Sequence, residues 1–112
     1  MSWIEQRGNF DPTRVKAYGP GIEKDNPLVI NKPVEFTVDC REAGEAPLKI
    51  TVTDLDYQKL DVALKNNGNG TYTCRYTPIY PNRHTVFVTY GGVAIPKSPV
   101  RVSYKFFFIT YF

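Results

Sequence analysis

The chain is short of the residues that most chemistry needs. It holds one histidine, His84, two cysteines, Cys40 and Cys74, and one tryptophan, Trp3, in 112 residues. A structural zinc site wants four ligands, commonly in short paired spacings, and this set supplies neither. Neither cysteine follows a helix start or sits in a glycine-rich elbow, so nothing marks an activated thiolate for a Cys–His pair. The expectation is a protein that is no enzyme and holds no metal or cofactor.

Clustered charge is missing as well. Fourteen Lys and Arg stand against eleven Asp and Glu, a net charge of +3. The basic residues are scattered, Arg14 and Lys16 being the densest stretch. A nucleic-acid binder concentrates such residues on one face with aromatics between them, so no nucleic-acid partner is expected. No apolar run is long enough to cross a bilayer, so no membrane insertion is expected. The opening Met1-Ser2-Trp3-Ile4-Glu5-Gln6-Arg7 has no long apolar core behind a basic start, and no route to secretion is read from it. No stretch carries a helical stripe of apolar positions.

What is present is an ordinary globular balance, 42% hydrophobic and 22% charged, at the size of a single domain. Nine prolines and eight glycines then belong in turns, as all-β chains require, rather than in disorder. Val34-Glu35-Phe36-Thr37-Val38-Asp39-Cys40 alternates strictly between apolar and polar, which puts Val34, Phe36, Val38 and Cys40 on one strand face. The same period of two runs through 48–53, 59–65, 71–77 and 100–104, while 84–90 is apolar on both faces in its middle, as a central strand can be. With an opening strand at 15–18, the spacing predicts seven strands at 15–18, 34–40, 48–53, 59–65, 71–77, 84–90 and 93–104. Ile95-Pro96-Lys97-Ser98-Pro99 must break the last into two pieces at an edge or bulge, because proline has no N–H to donate. Gly19-Pro20-Gly21, Asn66-Asn67-Gly68-Asn69-Gly70 and Gly91-Gly92 supply the turns. The fold class that fits is all-β, a seven-stranded antiparallel immunoglobulin-like β-sandwich.

In that topology the cysteines fall on the second and fifth strands, neighbours in one sheet, both facing inward. The inter-sheet bridge of antibody domains cannot form from them, and the only tryptophan lies outside the sandwich. Two buried thiols in a reducing compartment are expected. His84 shares the inward parity of Val86, Val88 and Tyr90 and is expected as a partly buried corner residue hydrogen-bonded to backbone. Asn69-Gly70-Thr71 fits the glycosylation acceptor pattern but also the chemistry of a hairpin turn, which is the preferred reading.

Several local strings then converge. Asp11-Pro12-Thr13-Arg14-Val15-Lys16-Ala17-Tyr18-Gly19-Pro20-Gly21-Ile22 resembles the opening of a filamin repeat. So do Val34 to Gly44, Asn67-Gly68-Asn69-Gly70-Thr71-Tyr72, Tyr76-Thr77-Pro78, and Tyr90-Gly91-Gly92 followed by Ile95-Pro96-Lys97-Ser98-Pro99. The resemblance covers residues 11–104. It implies a repeat of a cytoplasmic, cytoskeletal actin crosslinker, built as an actin-binding head and a rod of such repeats. The parent protein is then dimeric and the isolated domain monomeric. The implied partners are receptor cytoplasmic tails such as those of integrins, adaptor peptides and neighbouring repeats, with actin bound through the full-length protein. The implied mode adds the partner as a strand beside the third strand, over the groove toward the fourth. Carried onto this sequence, that site is Lys49, Ile50, Thr51, Val52 and Thr53, with Leu60, Val62 and Leu64 as an apolar floor. The third strand has no proline and one outward charge, Lys49, so nothing blunts it as an edge.

Two departures stand out. The connection Asp54-Leu55-Asp56-Tyr57-Gln58 replaces the family's Gly-Pro turn and is expected to cover part of the groove or alter partner choice. Pro81-Asn82-Arg83-His84 stands where the family shows Pro-Gly-x-Tyr. Residues 1–10 are expected as linker or extension. The tail 105–112 continues from Tyr104 as Lys105-Phe106-Phe107-Phe108-Ile109-Thr110-Tyr111-Phe112 and is strongly apolar. It packs on the sandwich, pairs with a second copy, or reflects where the chain happens to end, the last being preferred. The rival function is an extracellular immunoglobulin-like adhesion domain, which calls for a glycan at Asn69 or a Cys40–Cys74 disulfide.

Overall fold

The computed structural model describes residues 9–24, 26–80 and 82–105. The expectations for Trp3, for most of the N-terminal extension, for Pro81 and for the tail beyond Lys105 fall outside these residues.

The described residues form β1 (Lys16–Tyr18), β2 (Leu28–Val29), β3 (Val34–Asp39), β4 (Leu48–Thr53), β5 (Val62–Asn66), β6 (Thr71–Tyr76), β7 (His84–Tyr90), β8 (Val93–Ala94), β9 (Val100–Val102) and β10 (Tyr104–Lys105). Short 3-10 turns at Pro12–Arg14 and Pro20–Ile22 flank β1. Each turn begins on proline, whose fixed φ suits a first helical position.

The strands make two facing antiparallel sheets. One has the order β1-β3-β6-β5. The other has the order β4-β7-β8, with β9 also on β7. Register follows the alternation: Phe36 stands opposite Cys74 and Cys74 opposite Leu64, while Ile50 opposes Val88 and Val52 opposes Val86. Opposed residues share a face, so Phe36, Val38, Cys74 and Tyr76 of one sheet meet Val52, Val86, Val88 and Val102 of the other in the buried core. The sandwich is thus the all-β, immunoglobulin-like arrangement expected.

Three details differ from the sequence-based strands. The last strand comes in three pieces, β8, β9 and β10, around Pro96 and Pro99. The fourth starts at Val62 rather than residue 59, and Lys59 makes only an isolated bridge to Thr53. β2 lies in a stretch without alternation and pairs in parallel with β10, Leu28 N donating to Ser103 O at 2.8 Å.

The hairpin between β5 and β6 is closed by its own side chains. Gly68 N donates to Asn66 Oδ1, and both the amide and the hydroxyl of Thr71 donate to Asn69 Oδ1, at 3.1 and 2.6 Å. Asn69-Gly70-Thr71 therefore serves as turn chemistry. Gly70 has φ of 87°, and a Cβ there would meet the Arg41 side chain at 2.7 Å.

Candidate functional site

The two lateral rims of the sandwich are built differently. On one rim lie β1 and β9. Lys97 reaches across it, its Nζ donating to Ala17 O at 3.0 Å, and Pro96, Pro99 and Arg101 line the same segment. The β2–β10 pair ties the first crossover to the last strand nearby. Lysine and proline are the residues that blunt a sheet edge.

On the other rim lie β4 and β5, each paired on one side only, with β7 and β6 respectively. At one end this rim is closed: Leu60 N donates to Val52 O at 2.8 Å, and Thr53 bridges Lys59. Backbone groups alternate in direction along a strand. Since Val52 O points to the rim, the N–H and C=O of Ile50 and Leu48 point there too, and no described strand pairs with them.

The side chains behind this open stretch are apolar. Leu64 faces inward by register, opposite the buried Cys74, yet it is 43% exposed because the facing sheet stops at β4. Val62 and Ile50 are half-buried beside it. All three are apolar and belong to the two strands that end on this rim.

The expected site residues thus separate into three groups. Ile50 on β4 and Val62 and Leu64 on β5 face inward from the two rim strands and stay partly exposed. Val52 and Leu60 have the inward parity expected but are sealed in the core at the closed end. Lys49, Thr51 and Thr53 lie on the outer face of the same sheet. There they border a depression of about 510 Å³ that also involves Lys59, Phe87 and Thr89. Phe87, 43% exposed, is an outer-face neighbour that alternation alone leaves unassigned, since its strand is apolar on both faces. A larger depression, about 690 Å³, lies at the hairpin end beside Tyr72, Tyr90 and Arg41. Its cation is already taken, for Arg41 pairs with Asp39.

The connection Asp54 to Gln58 continues directly from the closed end of the rim. Asp54 is buried, and its Oδ1 accepts from Asp56 N at 2.9 Å and Gln58 N at 2.8 Å. Leu55 N donates to Asn82 Oδ1 at 3.2 Å. The turn projects Leu55 and Tyr57 into solvent.

His84 is fully buried rather than partly so, and its expected backbone contact is with Asn82, short of a well-formed hydrogen bond. Among the described residues neither ring nitrogen has a partner. Burial holds the imidazole below its ordinary pKa, and the Asn82 backbone and the Asp54 carboxylate oppose that without prevailing.

The cysteines are free and buried. By register Cys74 stands beside Phe36, four residues from Cys40, a separation of roughly 13 Å along the strand. That is beyond disulfide reach, so the Cys40–Cys74 bridge, one of the two marks of an extracellular adhesion domain, cannot form. Burial raises the Cys40 thiol and pushes that of Cys74 up to about 12. No group of three or more His, Cys, Asp or Glu among the described residues is arranged to hold a metal ion.

Residues 9–101 match the family described as Filamin/ABP280 repeat. Over 102 residues the chain is 53% identical to Filamin-A of Drosophila melanogaster, covering 91% of this chain and 5% of that protein. Over 92 residues it is 45% identical to Filamin-C of Rattus norvegicus, covering 82% of this chain and 3% of that protein. The chain thus spans a small fraction of these relatives. Among solved structures, the Lin-41 filamin domain superposes with a TM-score of 0.73 at 16% identity, over 87% of this chain and 97% of that one.

Proposed function

The chain belongs to the filamin repeat family, and from that premise we propose that it is a structural repeat which binds extended peptides by adding them as a strand beside β4. The repeat spans residues 11–104 and acts as a spacer and docking module without catalysis. Its peptide partners are receptor cytoplasmic tails, such as those of integrins, or adaptor segments. Neighbouring repeats are further partners, actin is reached through a longer, dimeric, cytoplasmic crosslinker, and the isolated domain is a monomer.

The observation that carries this reading is the open rim, where β4 leaves the backbone of Leu48 and Ile50 unpaired and β5 exposes the apolar Leu64. An unpaired edge is a template for another strand, and the alternate pockets beside it select side chains. Magnitudes favour a side-chain contribution. A net backbone hydrogen bond is worth about 0.5–1.5 kcal/mol, and association costs at least about 4 kcal/mol in lost freedom. The few bonds available at Leu48 and Ile50 barely offset that cost. Covering Leu64 and Ile50 with an apolar side chain of the visitor, at about 1.5–3 kcal/mol for a fully buried one, supplies the surplus.

The test is an amide-shift titration of the isotope-labelled domain with a receptor-tail peptide. Shifts clustered on β4 and β5 support strand addition. Shifts confined to the 19–33 crossover, or none at all, leave only the spacer role.

A further inference from the structure

Thr53 and Thr85 are the last paired positions of β4 and β7, so Asp54 and His84 come next on the two chains, side by side. Alternation turns both inward, and both are buried. Asp54 ties the turn together: its Oδ1 holds the amides of both Asp56 and Gln58, and its own N–H donates to Gln58 O at 3.0 Å. That turn returns the chain so that Lys59 bridges Thr53 and Leu60 caps Val52 O. His84 has two ring nitrogens and no partner for either among the described residues.

We propose that His84 and Asp54 form an acid-operated latch on the closed end of the open rim. Proton uptake by His84 draws the Asp54 carboxylate off the turn amides, releases the 54–60 turn, and frees the β4 edge from Val52 onward. The inference does not depend on any peptide partner.

The charged and titratable surroundings are simple. From the β4 side the ring feels Asp54. From β9 it stands opposite apolar Val102, and Arg101 is turned to the exposed face. Arg83, from the preceding corner, is exposed. The titratable groups that the opposite sheet contributes to the core, Tyr76 and Cys74, are both raised by burial and uncharged in the relevant range.

The sign follows from linkage. Burial lowers the pKa of His84 in the closed state, so the ring there is neutral at pH 7. A solvated ring titrates near 6.5. As pH falls below that value the open state takes up the proton first. Its population rises, by up to about tenfold per pH unit, until the closed state protonates as well.

The experiment is residue-resolved hydrogen exchange between pH 7.5 and 5, with the His84 ring carbons followed in the same samples. Protection factors at Asp56, Gln58 and Leu60 are expected to fall about tenfold per unit below pH 6.5. Those at Val38 and Val88 should hold, and His84→Phe should abolish the slope. The same slope in His84→Phe, or flat protection at 56–60, overturns the proposal. So does parallel loss at Val38 and Val88, which would mean global unfolding. Should the variant not fold, the unmodified protein still decides. The ring titration and the loss of protection must share a midpoint, and separate midpoints overturn the latch.

Discussion

The hydroxyl of Tyr76 donates to the carbonyl of Gly21 at 2.6 Å, joining β6 to the 3-10 turn after β1 across 55 residues of sequence. Tyr76 is buried, and its ring packs edge-on against Phe36, with centroids 6.4 Å apart. Glycine suits this approach, since a Cβ at Gly21 would press on the rings of Phe36 and Tyr76 at 3.0 and 3.2 Å.

Tyr76→Phe keeps the ring and deletes the donor. A buried carbonyl left unpaired costs about 1–3 kcal/mol. Urea denaturation should show a loss in that range with an unchanged m-value, and a change under about 0.3 kcal/mol would mean that Gly21 O finds another donor.

Leu64→Arg tests the groove against the core. Leu64 is half out of water and its long replacement can snorkel, so stability should change by no more than about 0.5 kcal/mol. Affinity for any peptide that binds by strand addition should fall at least about tenfold, the loss expected when an apolar contact worth about 1.4 kcal/mol is removed. Phe36→Ala, by contrast, opens a cavity under the same sheet and should cost about 3–5 kcal/mol in thermal or urea melts.

Asp39 accepts from the Arg41 backbone amide at 3.0 Å and from Arg41 Nη2 at 2.7 Å. These hydrogen bonds hold its carboxyl at about 2, against 3.8 ordinarily. A carboxylate with a lowered folded pKa adds stability above the unfolded value and loses it as pH falls through the folded one. This contribution should therefore fade between about pH 4 and pH 2. Carboxyl-carbon titration should place Asp39 near 2, and Arg41→Ala should move it toward the ordinary value.

The thiols give a further measurement. Cys74, buried and raised to about 12, should resist alkylation in the native protein at pH 8. Cys40, also raised but at the margin of the core, should react first. Denatured protein prepared without reductant should yield two free thiols; an oxidised intramolecular pair would contradict the register of β3 and β6.

Much of this was visible in the residues alone. β3, β4, β6 and β7 fall within a residue of their alternating stretches because each has one face in the core and one outside it. β2 and β10 escape such reading: each is two residues long, and their pairing is a long-range contact that local pattern does not encode. β5 begins late because the inward placement of Leu60 comes from the turn that precedes the strand. At the groove, parity reports which face a side chain takes but not its distance from the sheet's margin. Val52, Leu60 and Leu64 therefore look alike in sequence, although only Leu64 meets solvent. The isolation of His84 is invisible for the same reason, since the want of a partner is a property of its neighbours.

Lateral growth of a β-structure needs two receptive flanks on every unit, one to accept and one to offer. Here Lys97, Pro96, Pro99 and Arg101 occupy one flank, so a visitor seated at Leu48 and Ile50 finds no second seat across the same molecule. Addition should stop after a single event, which lets the domain keep a sticky margin without seeding fibrils.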